Sequence, residues 1–252
     1  MTAATDRSTG TVTGTVTGTV TDPTVLFDTW MSDFRALIAE DAGLTWPPVS
    51  GDLSEVPPVL MTLATVGPDG YPRTRNVMVS HTGAAGSPAA GRIYLHTDSR
   101  SDKARHIGAD PKVSLTVLAP DRSRQVTVVG DAVRSDPDEE AEAFSGRVRY
   151  LQLLAWLNDS DLAQRPEDER HRTWAQFAAA HPDLSSTPPD TWAGYAVVPR
   201  EYLFWTADSD GPSRRLHFTR PSGRLPGTVP GTVADTVPDT VPDNWIMEVL
   251  PG

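Results

Sequence analysis

Short runs rich in Val, Leu, Ile and Thr, each closed by Gly, Pro, Asp or Ser, recur along this chain at spacings that favour pairing between sequence neighbours. "VLMTLATV" (59–66) meets the turn "GPDG", and "YPRTRNVMVSH" (71–81) follows as its partner, so the pair reads as a β-hairpin. "GRIYLHTD" (91–98), "KVSLTVLA" (112–119), "RQVTVVGDAVRS" (124–135), "WAGYAVVPREYLFWTA" (192–207), "RRLHFTR" (214–220) and "NWIMEVL" (244–250) read as further strands. A short helix over 101–110 opens on Ser101 as N-cap with Asp102 in its first turn. From 137 to about 181 the pattern turns helical, with Pro-acid-acid starts in "PDEEAEAFSGR" and "PEDERHRTW". Strand succession broken by one helical insert predicts a mainly β, α+β fold, an antiparallel barrel rather than a doubly wound sheet. Rossmann and Walker patterns are absent from the sequence.

Ahead of the strands, Leu26, Trp30, Phe34, Leu37 and Ile38 fall at steps of three and four behind an Asp-Pro-Thr start, which predicts an amphipathic helix. Two stretches do not fit a packed element. Residues 9–22 repeat a TVTG unit and residues 227–243 repeat TVxG or TVxD, a period too short for a solenoid and a composition too poor in bulky apolar groups to offset chain ordering. The alternative for such Val- and Thr-rich segments is pairing at a sheet edge. The expected organisation is a disordered tail over 1–21 and one domain over 22–252, with a helical insert at 137–181 and a low-complexity loop at 227–243.

With 33 acidic against 22 basic residues, the net charge of −11 opposes non-specific binding to nucleic acid or anionic membrane, so any anion site must be local. Cysteine is absent, which excludes disulfides, thiolate-ligated metals and cysteine nucleophiles, and no metal site is expected. No basic leader with an apolar core and no run of eighteen apolar residues occurs, so a cytoplasmic protein is expected.

Candidate chemistry lies in four places. In "RTRNVMVS" (73–80) strand alternation puts Arg73, Arg75, Val77 and Val79 on one face, either as arginines snorkelling at an edge or as a phosphate or carboxylate clamp. Lys103 stands in the first turn of a helix after a strand, where unpaired N–H groups favour an anion, or is simply solvated. Gln125 is an amide in a mostly apolar strand, a satisfied edge residue or a hydrogen-bonding one. "FWTADSDGPSRRLHFTR" collects Arg214, Arg215, His217 and Arg220 beside an aromatic pair, a solvated hairpin tip or a binding surface.

These segments in this order, together with "DPTVLFDTWMSDF", "LATVGPDGYPRTRNVMV", "WAGYAVVPREYLFW" and the closing "W…LP", resemble the pyridoxamine 5′-phosphate oxidase family of FMN-binding split β-barrels over residues 22–251. The resemblance implies FMN as cofactor, its phosphate contacted by Arg75 and Lys103 beside Thr97, its ring by Gln125 and Trp205. Ser160 stands for a serine contact after the insert, and Arg220 for an arginine that follows the "RLH" signature one residue later than in the family. It places Arg215 and His217 on the substrate side as the catalytic pair, and implies a homodimer with FMN at the interface.

The departures carry information too. The strand after Arg75 ends in Ser80, a residue grouped with the cofactor-binding set, where dedicated vitamin B6 oxidases of the family carry a Lys that holds the substrate phosphate. An ungapped alignment of the insert gives Ala143 for their Tyr, Arg147 for their Arg and Leu151 for their Ser. Flavin oxidases of phenazine biosynthesis, similar in this position, also carry Ser. The expected function is therefore an FMN-dependent oxidase of a small amine or dihydro-aromatic substrate with O2 as acceptor, Arg147, Arg215 and His217 binding substrate. The alternatives are pyridoxamine 5′-phosphate oxidase itself, a flavin binder without turnover, and a deazaflavin reductase.

Overall fold

In the computed structural model, which describes residues 22–50, 55–84, 87–184, 187–220 and 245–252, the strands form a single antiparallel sheet. The expectations for the repeat tail at 1–21 and the loop at 227–243 lie outside the described residues. Strands β1 (Leu60–Val66), β2 (Pro72–Met78), β3 (His81–Thr82), β4 (Ile93–Asp98), β5 (Lys112–Leu118), β6 (Arg124–Arg134) and β7 (Trp192–Thr206) run in the order β2-β1-β5-β6-β7-β4-β3. Strands β8 (Arg214–Thr219) and β9 (Ile246–Pro251) extend from β7.

The path closes because its two ends are neighbours in the chain. Val79 N donates to Val59 O at 3.0 Å, and the next residue, Ser80, donates its N–H to Tyr94 O at 2.9 Å. The stretch expected as one strand over 71–81 is therefore two, and the backbone step between Val79 and Ser80 hands the chain from β1 to β4. β7 is split as well. Its first half pairs with β4 and its second with β8, with a register shift where Pro199 and Arg200 face the Val129–Gly130 step of β6. Proline is tolerated there because the ladder is already interrupted. Gly130 is required by close approach, since a Cβ would stand 2.4 Å from Val198 O.

Alternation sets the inside of the barrel. Met61, Leu63 and Thr65 of β1, Val113, Leu115 and Val117 of β5, and Val126 and Val128 of β6 point inward and are buried. Helix α1 (Pro23–Asp41) plugs one opening: Asp22 caps it through Thr24 N at 2.8 Å, and Leu26, Phe27, Trp30, Met31 and Phe34 join the core, Trp30 edge-on to Phe204. Leu37 and Ile38, expected on the same stripe, are only half-buried, Ile38 packing against the edge of the core while Ala39 beyond it is fully buried. Helix α2 (Asp102–Ala109) packs on β1 through Ala104, Ile107 and a His106 Nδ1 to Thr65 Oγ1 contact of 3.0 Å.

The insert forms α3 (Pro137–Ser145), α4 (Arg149–Leu157), the extra single turn α5 (Ser160–Ala163) and α6 (Glu167–Ala180). It carries its own small core of Phe144, Leu153, Leu184 and Trp192, which explains why the first half of β7 is buried on both faces while the second half alternates. Glu140 fastens the insert to the sheet, accepting from Gly194 N at 2.8 Å and from the Arg134 guanidinium, while Trp192 Nε1 donates to Glu140 O at 2.8 Å.

Candidate functional site

The expected site residues fall into three groups. The first stands at the start of α2. Arg75 comes off β2 opposite Leu63, facing inward, and its Nη1 donates to Thr65 Oγ1 at 2.8 Å and Leu63 O at 3.2 Å. Lys103 Nζ donates to Thr97 Oγ1 at 2.8 Å, and Thr97 is 3.4 Å from the N-cap hydroxyl of Ser101. Burial and the Arg75 charge push Lys103 below its ordinary value, and burial lowers Arg75. Neither forms a salt bridge among the described residues. Two cations are thus held together, partly desolvated, at a helix N-terminus, an arrangement that favours an anion of high charge density. Arg73, on the same strand face, does not join them, because its guanidinium turns back to Asp69 of the hairpin turn at 2.6 Å. Ser160, exposed at the start of α5, lines an open cavity of about 530 Å3 shared with Ser101 and Asp102, whose Arg100 and Arg105 are paired with Asp98 and Asp102.

The second group lies on the outer face of the sheet. Gln125, Trp205 and Arg215 are direct cross-strand neighbours on β6, β7 and β8, and His217 stands one pair along on the same face. All four are half-buried. The Gln125 side chain makes no hydrogen bond among the described residues, whereas His217 Nε2 is 2.9 Å from Glu201 Oε1, a partner the sequence did not announce. The same face exposes Leu60, Leu118, Val129 and Ile246, each between 37% and 57% accessible. Arg220 is placed apart from this row. It follows the end of β8 and lies over the Trp245 ring at 4.6 Å, and Trp245 packs edge-on to Tyr202 of the core.

The third group surrounds a cavity of about 310 Å3 between β2, α1 and the insert, where Ser80, Ala143, Arg147 and Leu151 converge with Arg35 and Trp46. The positions aligned from distant segments therefore share one wall. Arg147, in the turn between α3 and α4, is half-buried, lies 4.6 Å over the Trp192 ring, and reaches Ser80 Oγ at 3.4 Å. Desolvation pushes it down to about 10, and it has no salt bridge among the described residues.

Behind Ser80 stands a residue that sequence reasoning missed. The His96 side chain has 0% exposure, places Nδ1 2.9 Å from Ser80 Oγ and Nε2 3.0 Å from Glu139 Oε1, and stacks on Trp192 at 5.3 Å. Gly194 makes room for it, since a Cβ there would lie 2.9 Å from His96 Nε2. Thr65, which orients Arg75, was missed as well. For Thr65 the available signal was a polar residue at an inward strand position; His96 lies on the opposite face of β4 from Ile93 and Leu95, against Glu139 and Trp192, and carried no such signal.

The barrel geometry defines the class, an antiparallel split β-barrel with helices. The structure of PhzG from Burkholderia lata 383 in complex with tetrahydrophenazine-1-carboxylic acid is similar with a TM-score of 0.64 at 20% identity, over 92% of this chain and 93% of that one. The family model for pyridoxamine 5′-phosphate oxidase matches residues 57–181. A pyridoxine/pyridoxamine 5′-phosphate oxidase from Teredinibacter turnerae is 37% identical over 64% of this chain and 71% of its own length. One from a Nocardioides species is 30% identical over 82% and 84% respectively. The chain belongs to the pyridoxamine 5′-phosphate oxidase family of FMN-dependent oxidoreductases. No helix of the described residues is long and apolar enough to cross a membrane.

Proposed function

We propose that this protein is an FMN-dependent oxidase that removes two electrons, as hydride, from a small dihydro-aromatic or amine donor bearing a carboxylate, with O2 as acceptor. One observation carries the choice of donor. On the wall of the 310 Å3 cavity, Arg147 is a desolvated cation without an acidic partner among the described residues, flanked by Ser80, Ala143 and Leu151. A desolvated phosphate dianion needs several cationic or hydroxyl partners, whereas a carboxylate is matched by one guanidinium and one donor.

The cofactor reading rests on Arg75, Lys103 and Thr97, whose convergence at the N-terminus of α2 fits a phosphate monoester. When bound, the flavin supplies the two-electron chemistry. The chain's own residues bind and orient: Gln125 and Trp205 offer an amide and an aromatic surface, and Arg215 and His217 sit beside them on one face. Glu201 holds the His217 ring, leaving its Nδ1 for a proton transfer. The phosphate-type site and the outward row belong to different surfaces of one chain, and the outer face is rich in exposed apolar groups. This favours a homodimer in which a second copy completes each site.

The names of the curated relatives favour a second reading, pyridoxamine 5′-phosphate oxidation with the phosphate held differently. Anaerobic mixing of the flavin-loaded protein with a dihydro-aromatic carboxylic acid separates the two. Bleaching of the flavin, with colour restored by air, is expected. Bleaching by pyridoxamine 5′-phosphate alone would select the second reading.

A further inference from the structure

We infer that Glu139, His96 and Ser80 form a proton-controlled relay that sets whether the cavity presents a donor or a lone pair to its ligand's anion, so that carboxylate affinity falls as pH rises. The inference rests on reading this cavity as the substrate side of the site.

The hydrogen-bond arithmetic is restrictive. Burial alone would raise the Glu139 carboxyl, but hydrogen bonds from His96 and Ser135 and the charges of His96 and His81 outweigh it and hold Glu139 below its ordinary value. An ionised Glu139 accepts only, so His96 Nε2, at 3.0 and 3.3 Å from its two oxygens, must be the protonated nitrogen. The state of Nδ1 is then the state of the whole ring. In the neutral ring Nδ1 is a lone pair, and Ser80 must donate its O–H to it at 2.9 Å. Ser80 Oγ accepts from Arg147 Nη2 at 3.4 Å with one lone pair and turns the other to the cavity, opposing an anion. In the imidazolium Nδ1–H donates to Ser80, which accepts from both His96 and Arg147 and has its O–H free to donate into the cavity. Only this state adds a Ser80 donor to those of the Arg147 guanidinium.

The surroundings of His96 bear on both states. Glu139 on α3, the Trp192 ring on β7 and, through Ser80, Arg147 face it. A carboxylate that accepts from the Ser80 O–H requires the imidazolium, which couples ligand binding to proton uptake. His81 on β3, 3.4 Å from Glu139, is lowered by burial first and then by the charge of His96, against the pull of Glu139 and of Glu142. Tyr94 stacks on His81, and Glu140, the remaining nearby carboxylate, is engaged by Arg134 and Gly194 N.

The test is calorimetric titration of the full-length, FMN-loaded protein with 1-naphthoate, a planar carboxylate ionised throughout the range from about pH 6 to about pH 9 in which a histidine titrates. Wild type is expected to lose affinity by up to about tenfold per pH unit toward the alkaline end of that range, with net proton uptake seen in buffers of different ionisation enthalpy. Ser80→Ala should bind more weakly at low pH and without the slope, Ser80→Thr should restore the slope, and Glu139→Gln should move the loss to lower pH. Arg147→Met should abolish binding at every pH. The flavin spectrum reports that each variant is folded. The inference is overturned by absence of naphthoate binding, by a pH-independent wild type, by a Ser80→Ala slope equal to wild type, or by binding that survives Arg147→Met. Failure of the oxidase reading looks different: naphthoate would bind with this profile while no donor reduced the flavin.

Discussion

At the scale of single residues, Thr65 and Thr97 explain how two cations tolerate each other. Each hydroxyl accepts from one of them, Thr65 from Arg75 and Thr97 from Lys103, and so fixes the heads without neutralising either charge. Replacing Arg75 or Lys103 with Met is expected to weaken FMN binding by about 1.5–3 kcal/mol, or ten- to a hundredfold, read by equilibrium fluorescence of the released flavin. A pH dependence follows from the shift at Lys103. Its charged form is disfavoured by burial and by Arg75, so the free protein loses this proton at a lower pH than an ordinary lysine, and a bound phosphate restores it. FMN affinity should therefore be full where Lys103 is protonated and fall as pH rises toward the ordinary lysine value of about 10.4, and Lys103→Met should lack that alkaline fall.

At the scale of elements, the strands and helices were legible because the inward positions alternate cleanly and the caps are local. Asp22 before Pro23, and Ser101 before Asp102, mark their helices within a few residues. What could not be read was non-local. The break at Val79–Ser80 depends on which neighbour each backbone N–H finds, and the register shift at Val129–Gly130 depends on Val198 lying close. The site shows the same division. Arg75 and Lys103 could be singled out from strand parity and a helix start and Thr97 only through the family resemblance, but His96 meets Glu139 across 43 residues with no pattern to link them. The insert is tied to the barrel by a few such contacts, and Glu140 is the chief one. Glu140→Ala would leave Gly194 N–H buried without its acceptor and Arg134 without its carboxylate. It is expected to cost about 2–4 kcal/mol in chemical denaturation, with wild-type stability the contrary result.

At the scale of the whole molecule, the proposed pairing of two copies through the outer sheet face with Gln125, Trp205, Arg215 and His217 is tested by light scattering, which is expected to give a dimer. Deleting residues 1–20 or shortening 227–243 is expected to leave that dimer and its flavin content unchanged, because the first repeat precedes the first helix and the second joins two strands, where added length costs little. A monomer, or colourless trimmed protein, would count against this. The central claim is that the cavity of Ser80, Ala143, Arg147 and Leu151 is made for a carboxylate and not a phosphate. A lost lysine–phosphate contact is worth about 1.5–3 kcal/mol, and the missing hydroxyls add to it. The direct measurement is steady-state oxidation of pyridoxamine 5′-phosphate by wild type and by Ser80→Lys. The account predicts little or no turnover by wild type and a gain in Ser80→Lys. Efficient wild-type turnover at micromolar pyridoxamine 5′-phosphate would contradict it.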